Sequence, residues 1–205
     1  MLAGVAVVGW FLHPAILALG TVGMLFTLYF FRDPERKVLA EPGQILAPAD
    51  GKVVSIDEVE EKDFLGARCR RISIFLSVFD VHINRAPVSG TIEMLRYTPG
   101  RFGFANTADA SRNNESNAIG IGGGPLRVMV KQIAGAVARR IICYCRKDQS
   151  VITGERIGLI RFGSRTELYL PLECRVLVSV GQKVKGGISL VGAYDASTEE
   201  EAQTR

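Results

Sequence analysis

Outside its apolar amino-terminal stretch the chain has one histidine, His82, and two aspartates, Asp50 and Asp80, that could orient it for nucleophilic or proton-transfer chemistry. The serine such a group would activate is marked by its surroundings. Across Gly154–Pro171 apolar and polar residues alternate as in one or two β-strands, yet Phe162-Gly163-Ser164 falls in the middle. Glycine inside a strand ordinarily marks a bulge or a close backbone approach, and a lone histidine is more often a structural hydrogen-bonding residue than a catalyst. Metal chemistry has little to work with. The other histidine, His13, lies in the apolar stretch, and Cys143-Tyr144-Cys145 is the one pair of thiols that a strand would put on a single face. The four cysteines show no disulfide-framework spacing and read as small buried residues of a reducing compartment. Gly120–Gly124 is followed by Pro125 and a strand pattern, not by the helix that a phosphate-binding loop needs.

These residues need a scaffold, and 205 residues suffice for one domain with an appendage. The net charge of +4 comes without a Lys/Arg run or a set of stacking aromatics, so nucleic acid is not the expected partner. A mild positive bias suits an anionic membrane surface. Residues 2–31 contain no Asp, Glu, Lys or Arg, and His13-Pro14 divides them. As a helix, Ala15–Phe31 spans roughly 26 Å at about 1.5 Å per residue, the scale of a bilayer core. The stretch reads either as one Pro-kinked span or as two short helices in a re-entrant hairpin. Arg32, Arg36 and Lys37 follow at once, which places the remaining domain on the cytoplasmic face of the cell membrane.

Beyond this anchor (1–32) lies a β-rich domain (33–195) and a polar tail (196–205) expected to be flexible. Asp50-Gly51 signals a hairpin turn before a strand at Lys52–Ile56. Further strands are expected at Arg70–Phe75, Gly90–Tyr97, Arg175–Val180 and Ile188–Val191, with Leu126–Ile133 paired to Ala136–Tyr144 and a loop at Asn106–Asn117. The fold class is therefore mainly β, antiparallel and sandwich- or barrel-like, plus an N-terminal helical membrane segment. Ala49–Val53 and Val180–Gly187 both resemble turns of biotinyl/lipoyl-like barrels.

Four local patterns occur in an order that resembles a known family. Phe30-Phe31-Arg32-Asp33-Pro34-Glu35-Arg36 is followed by Ala47-Pro48-Ala49-Asp50-Gly51. Then come Phe75-Leu76-Ser77-Val78-Phe79-Asp80-Val81-His82-Ile83-Asn84-Arg85-Ala86-Pro87-Val88-Ser89-Gly90 and Gly154-Glu155-Arg156-Ile157-Gly158-Leu159-Ile160-Arg161-Phe162-Gly163-Ser164-Arg165. Together they resemble the short, prokaryotic form of phosphatidylserine decarboxylase, from about Phe30 to Val191.

The resemblance implies a self-cleaving proenzyme. Ser164 Oγ attacks the Gly163 carbonyl, and elimination leaves a β chain ending at Gly163 and an α chain whose first residue becomes a pyruvoyl group. Decarboxylating an amino-acid head group needs such an electron sink, because no ordinary side chain accepts the electrons. The ketone would form a Schiff base with phosphatidylserine, release CO2 and yield phosphatidylethanolamine, with no metal and no pyridoxal phosphate. The resemblance gives His82 proton transfer or carboxylate positioning, and Asp50 a part in self-cleavage. Where longer relatives carry a second histidine this chain has Arg85, so either His82 serves both steps or Asp50 acts without an imidazole relay. Asn113-Asn114-Glu115-Ser116-Asn117 resembles a stretch usually reading Asn-Glu-Arg, which makes Asn114, Glu115 and Arg85 the candidates for substrate contact. The α and β chains would stay associated, and exposed strand edges make a homodimer physically reasonable. Two other classes fit parts of the sequence: a membrane-anchored serine protease of signal-peptidase type, and a non-enzymatic membrane-tethered barrel adaptor.

Overall fold

The computed structural model describes residues 14–100, 113–124, 126–135, 140–161 and 164–195. The chain forms two units, Met1–Pro34 and Glu35–Arg205. The first contains helix α1 (Pro14–Phe30), 17 residues long. Proline suits its first turn, where a backbone N–H has no helical partner to lose. Thr21 and Thr27 return their hydroxyls to the carbonyls of Leu17 and Gly23 at 2.9 and 2.8 Å, so these polar groups are satisfied within the helix. Leu19, Val22, Leu25 and Leu28 are exposed along it. Among the described residues no helix is long and apolar enough to cross a membrane. The helix stands where the sequence places one, but roughly 26 Å falls short of a core of about 30 Å. His13 and the residues before it lie outside the described residues, as does the 196–205 tail.

The second unit is mainly β among its described residues. Its strands are β1 (Gln44–Leu46), β2 (Gly51–Glu61), β3 (Ala67–Leu76), β4 (Ile83–Arg85), β5 (Gly90–Thr98), β6 (Ser116–Gly122) and β7 (Val128–Ile133). They continue with β8 (Ile141–Cys143), β9 (Ser150–Val151), β10 (Arg156–Ile160), β11 (Ser164–Pro171), β12 (Arg175–Val176), β13 (Lys183–Val184) and β14 (Leu190–Ala193). One sheet has eight strands in the order β13-β2-β3-β11-β7-β6-β5-β9, and two have three strands, β1-β14-β12 and β4-β10-β8. Every pairing is antiparallel. All three sheets contribute to one core, including Ile45, Ile74, Leu76, Ile119, Val130, Ile157, Leu168 and Val191.

Strand β11 shows how the sequence is used. Leu168 and Leu170 join the main core. On the opposite face Arg165 and Glu167 pair at 3.0 Å, and Tyr169 donates its hydroxyl to Glu167 at 2.7 Å. The alternation therefore separates an apolar face carrying Ser164 and Thr166 from a buried ionic one. Buried charges persist only when paired, and Glu167, fully buried, has Arg71 at 3.9 Å as a further cation.

Several local expectations change. Asp50-Gly51 does not close a hairpin: β1 pairs with β14, and Gly51 opens β2. A Cβ there would lie 2.2 Å from the Phe75 carbonyl oxygen, so glycine is required by close approach. Strand β7 pairs with β6 and β11, whereas β8 pairs with β10, so the expected partnership of those two segments is not formed. Residues 136–139 of the second segment, and 106–112 of the expected loop, lie outside the described residues. Ser116 and Asn117 belong to β6 instead of a loop. The two barrel-like echoes meet, since β13 pairs with the start of β2. The eight-stranded sheet is bounded by β13 and β9, each of two residues, and short edges limit edge-to-edge pairing.

Candidate active site

Ser164 sits where the chain crosses between sheets. Strand β10 lies between β4 and β8 in one sheet, and β11 lies between β3 and β7 in another. Strand β10 ends at Ile160 and β11 starts at Ser164 in another sheet, so the serine opens a new strand. Phe162 and Gly163 themselves lie outside the described residues. Ser164 opens β11 opposite Leu76, is fully buried, and its Oγ has no hydrogen-bond partner among the described residues. A buried hydroxyl left unpaired is costly, and such groups concentrate where chemistry occurs.

The loop Ser77–Val81 brackets this crossing. Its first anchor is Leu76, opposite Ser164; its second is His82, whose carbonyl accepts the Ile160 N–H at 3.2 Å. The Asp80 carboxylate accepts from Ser77 N at 2.8 Å and Ser77 Oγ at 2.7 Å, which makes the loop a closed turn. Nδ1 of His82 lies 2.9 Å from the Asp80 carbonyl oxygen. A carbonyl only accepts, so Nδ1 carries the proton in the neutral ring and Nε2 is then the ring's acceptor atom. Val81 and Ile83 share an apolar cluster with Leu159, so His82 and Asn84 point to the other side of this segment. Asn84 Nδ2 donates to Thr166 Oγ1 at 2.9 Å. Two residues upstream in the sequence stand His82, just before β4, and Ser164, the first residue of β11. Strand β4 begins beside the end of β10, and β11 begins just after the crossing, so the two residues share one end of the intervening space.

Asp50 is differently engaged. Arg36 grips it with Nη1 on Oδ1 at 2.6 Å and Nη2 on Oδ2 at 2.8 Å, and the Gly186 N–H donates to Oδ1 at 2.8 Å. Arg36 also donates to the Gly186 carbonyl. Lys52, Phe75 and Arg165 are consecutive partners across β2, β3 and β11, so Asp50 is at the Ser164 end of the sheet. The two outer strands are two spacings, about 10 Å, apart. Neither aspartate carboxylate has His82 as its recorded partner: Asp80 closes its own loop and Asp50 holds Arg36. The Ser-His-Asp geometry of a hydrolase is therefore not assembled from them.

The other candidates divide. Ala134 N donates to the Glu115 carbonyl at 2.9 Å, and Asn114 Nδ2 donates to the Ala134 carbonyl at 2.8 Å. Since Ile133 pairs with both Arg165 and Ser116, this places Asn114 and Glu115 at the Ser164 end of the strands. Desolvation and the Glu115 carboxylate raise the Tyr97 phenol above its ordinary range. Arg85 turns toward other neighbours. Its N–H donates to the Pro48 carbonyl at 2.8 Å and its Nη1 to the Gly154 carbonyl at 3.0 Å, on the Asp50 side of the domain. Hydrogen bonding with Cys145 lowers the half-buried Cys143 thiol below its ordinary range, with Asn117 contributing.

Sequence reasoning did not single out Arg36 as the partner of Asp50, nor Asn84, Thr166, Gln132 and Asn117. Arg36 and Asn84 lie inside the quoted motifs, and polar side chains alternating with apolar ones in Ile83-Asn84 and Thr166–Leu170 were the available signal.

The family model for phosphatidylserine decarboxylase matches residues 24–192. The chain is 47% identical over 180 residues to a phosphatidylserine decarboxylase proenzyme of Syntrophus aciditrophicus, covering 87% of this chain and 84% of that one. It is 44% identical over 168 residues to the proenzyme of Desulfotalea psychrophila, with 82% and 78% covered. For that of Granulibacter bethesdensis the identity is 47% over 191 residues, covering 91% and 78%. The chain belongs to the phosphatidylserine decarboxylase family, an enzyme family whose similar members are proenzymes. The protease and adaptor readings receive no support from these matches.

Proposed function

We propose that this chain is a self-cleaving phosphatidylserine decarboxylase whose reactive residue is Ser164 and whose proton-transfer group is His82. The observation that carries the reading is the buried Ser164 hydroxyl at the start of β11, which has no hydrogen-bond partner among the described residues. In the precursor, His82 Nε2 takes the hydroxyl proton, Oγ attacks the Gly163 carbonyl, and the peptide bond is exchanged for an ester. Loss of the residue-164 Cα proton then expels the Gly163 carboxylate, leaving a chain ending at Gly163 and a dehydroalanine at 164. This tautomerises to an imine, and water hydrolyses it to the pyruvoyl group with release of ammonia. Proximity within one peptide unit substitutes for a strong base. The pyruvoyl group formed at position 164 supplies the electron sink that decarboxylation requires. The residues present suit it: Ser164 is buried, its strand is held between β3 and β7, and the imidazole of His82 is buried as well.

In the substrate step His82 supplies the proton that takes the place of CO2 at the reacting carbon. Glu115 is suited to the substrate's ammonium and Asn114 to its polar head group. Asp50 contributes by fixing the Gly51 and Gly186 turns through Arg36, so His82 serves both steps. Arg85 braces Gly154 and Pro48 beneath β10. The apolar stretch 2–31, with exposed Leu19, Val22, Leu25 and Leu28 on its helix, attaches the enzyme to the membrane that holds its lipid substrate, and Arg32, Arg36 and Lys37 favour the cytoplasmic face.

Intact-mass measurement of denatured protein tests this reading. Two chains split between Gly163 and Ser164 are expected, the C-terminal one lacking a free amine, and Ser164→Ala should stay whole. An uncut wild-type chain in membranes that convert phosphatidylserine to phosphatidylethanolamine would sink it.

A further inference from the structure

Four buried side chains form one hydrogen-bonded file between the sheets. Asn117 Nδ2 donates to Gln132 Oε1 at 2.9 Å, Gln132 Nε2 to Asn84 Oδ1 at 2.8 Å, and Asn84 Nδ2 to Thr166 Oγ1 at 2.9 Å. Their exposures are 5%, 0%, 0% and 0% along the file. Asn117, Gln132 and Thr166 are cross-strand partners on β6, β7 and β11. Asn84 is the member contributed by the other sheet. Glycine at 158 makes room for the crossing, since a Cβ there would come within 2.6 Å of Gln132 Nε2.

Stability alone gives little reason for this arrangement. A buried polar network is at best comparable to a well-packed apolar core, and leaving one member unpaired is costly. What it does supply is register. Each carboxamide donates to the next group and accepts from the one before, so the file has one direction and one terminus, Thr166. A slip of one residue would turn every side chain of a strand to the opposite face. The file locks β4 to β11 at the pair Asn84–Thr166; two residues upstream lie His82, just before β4, and Ser164, the first residue of β11.

We propose that Asn84 and Thr166 are positioning residues for the reaction of Ser164, fixing the segment that carries His82 relative to the start of β11; this rests on the self-cleavage reading above. Misplacing reacting groups by about 1 Å costs on the order of 100-fold in rate. Thr166→Val keeps the shape and β-branching of the side chain but removes the acceptor, whereas Thr166→Ser keeps the hydroxyl. The test follows conversion of freshly synthesised full-length chain into two chains by mass, well below the melting transition of each variant, together with circular dichroism. Thr166→Val should convert about 100-fold more slowly with an unchanged spectrum, and Thr166→Ser should approach the wild-type rate. Once cleaved, Thr166→Val should show reduced kcat with KM little changed.

Wild-type protein that splits beside Thr166→Val that splits equally fast overturns the positioning role and leaves the Ser164 reading intact. Slowing that Thr166→Ser does not relieve also overturns it, because shape rather than the hydrogen bond would then matter. A wild-type chain that never splits overturns both.

Discussion

Arg36 holds Asp50 in a two-pronged ion pair, 2.6 and 2.8 Å, with the side chains only 6% and 12% exposed. Such bidentate, charge-assisted contacts are among the stronger polar interactions in proteins. Both oxygens of Asp50 are accepting, and its strand is separated from Ser164 by β3. If Asp50 works by being paired, Arg36→Met and Asp50→Asn should slow precursor conversion to similar extents, and the double variant should be no slower than the worse single one. If Asp50 were a free base, Arg36→Met would leave conversion intact while Asp50→Asn abolished it. Each single change strands a buried charge or its partner, so the urea midpoint should show a loss of about 3–5 kcal/mol.

What the sequence made legible, and what it hid, divides along the range of the interactions. The period-two pattern of Gly154–Pro171 read as one or two strands around a Gly-Ser pair, and there are two, β10 and β11. The pattern could not say that they belong to different sheets, which is what makes the junction a crossing rather than a bulge. Pairing of the 126–133 and 136–144 segments looked natural from their adjacency, but β7 is claimed by β11 and β6, both distant in the chain. Ser116-Asn117 looked like loop because it is polar; it is buried because Asn117 finds Gln132. Arg36 read as a membrane-flanking charge, and its partner lies 14 residues on. Asn84 and Thr166 are 82 residues apart, so no local pattern joins them.

The buried thiols give a pH dependence with a definite sign. Desolvation pushes Cys69 up to about 11 from 9.0, with Glu61 adding, and Cys174 likewise to about 11, with Glu173 adding. Desolvation and Glu167 raise Tyr169 in the same direction. A group that holds its proton more tightly when folded contributes its full stability below the unfolded value and loses it as pH rises through the folded one. Stability should therefore fall between pH 9 and about 11, read as a declining urea midpoint. The double variant Cys69→Ala/Cys174→Ala should fall less steeply over that window; an equal slope would remove these thiols as the cause.

His82 gives the most direct test of the site, provided the substitution spares the loop. His82→Ala would lose the ring and also the contact with the Asp80 carbonyl, 2.9 Å from Nδ1. His82→Asn places an amide N–H near the Nδ1 position, so it can keep that contact while removing Nε2. If His82 is the proton-transfer group, His82→Asn should fold and melt like the wild type yet convert to two chains far more slowly. Material that does convert should decarboxylate about 100- to 10,000-fold more slowly, the usual worth of a positioned acid–base group. The loss should lie in kcat, because the ring is assigned to proton transfer and Asn114 and Glu115 to head-group contact. Normal turnover by correctly cleaved His82→Asn would show instead that the ring only closes the Ser77–Val81 turn, and that the proton is moved by another group at the Ser164 end of the sheet.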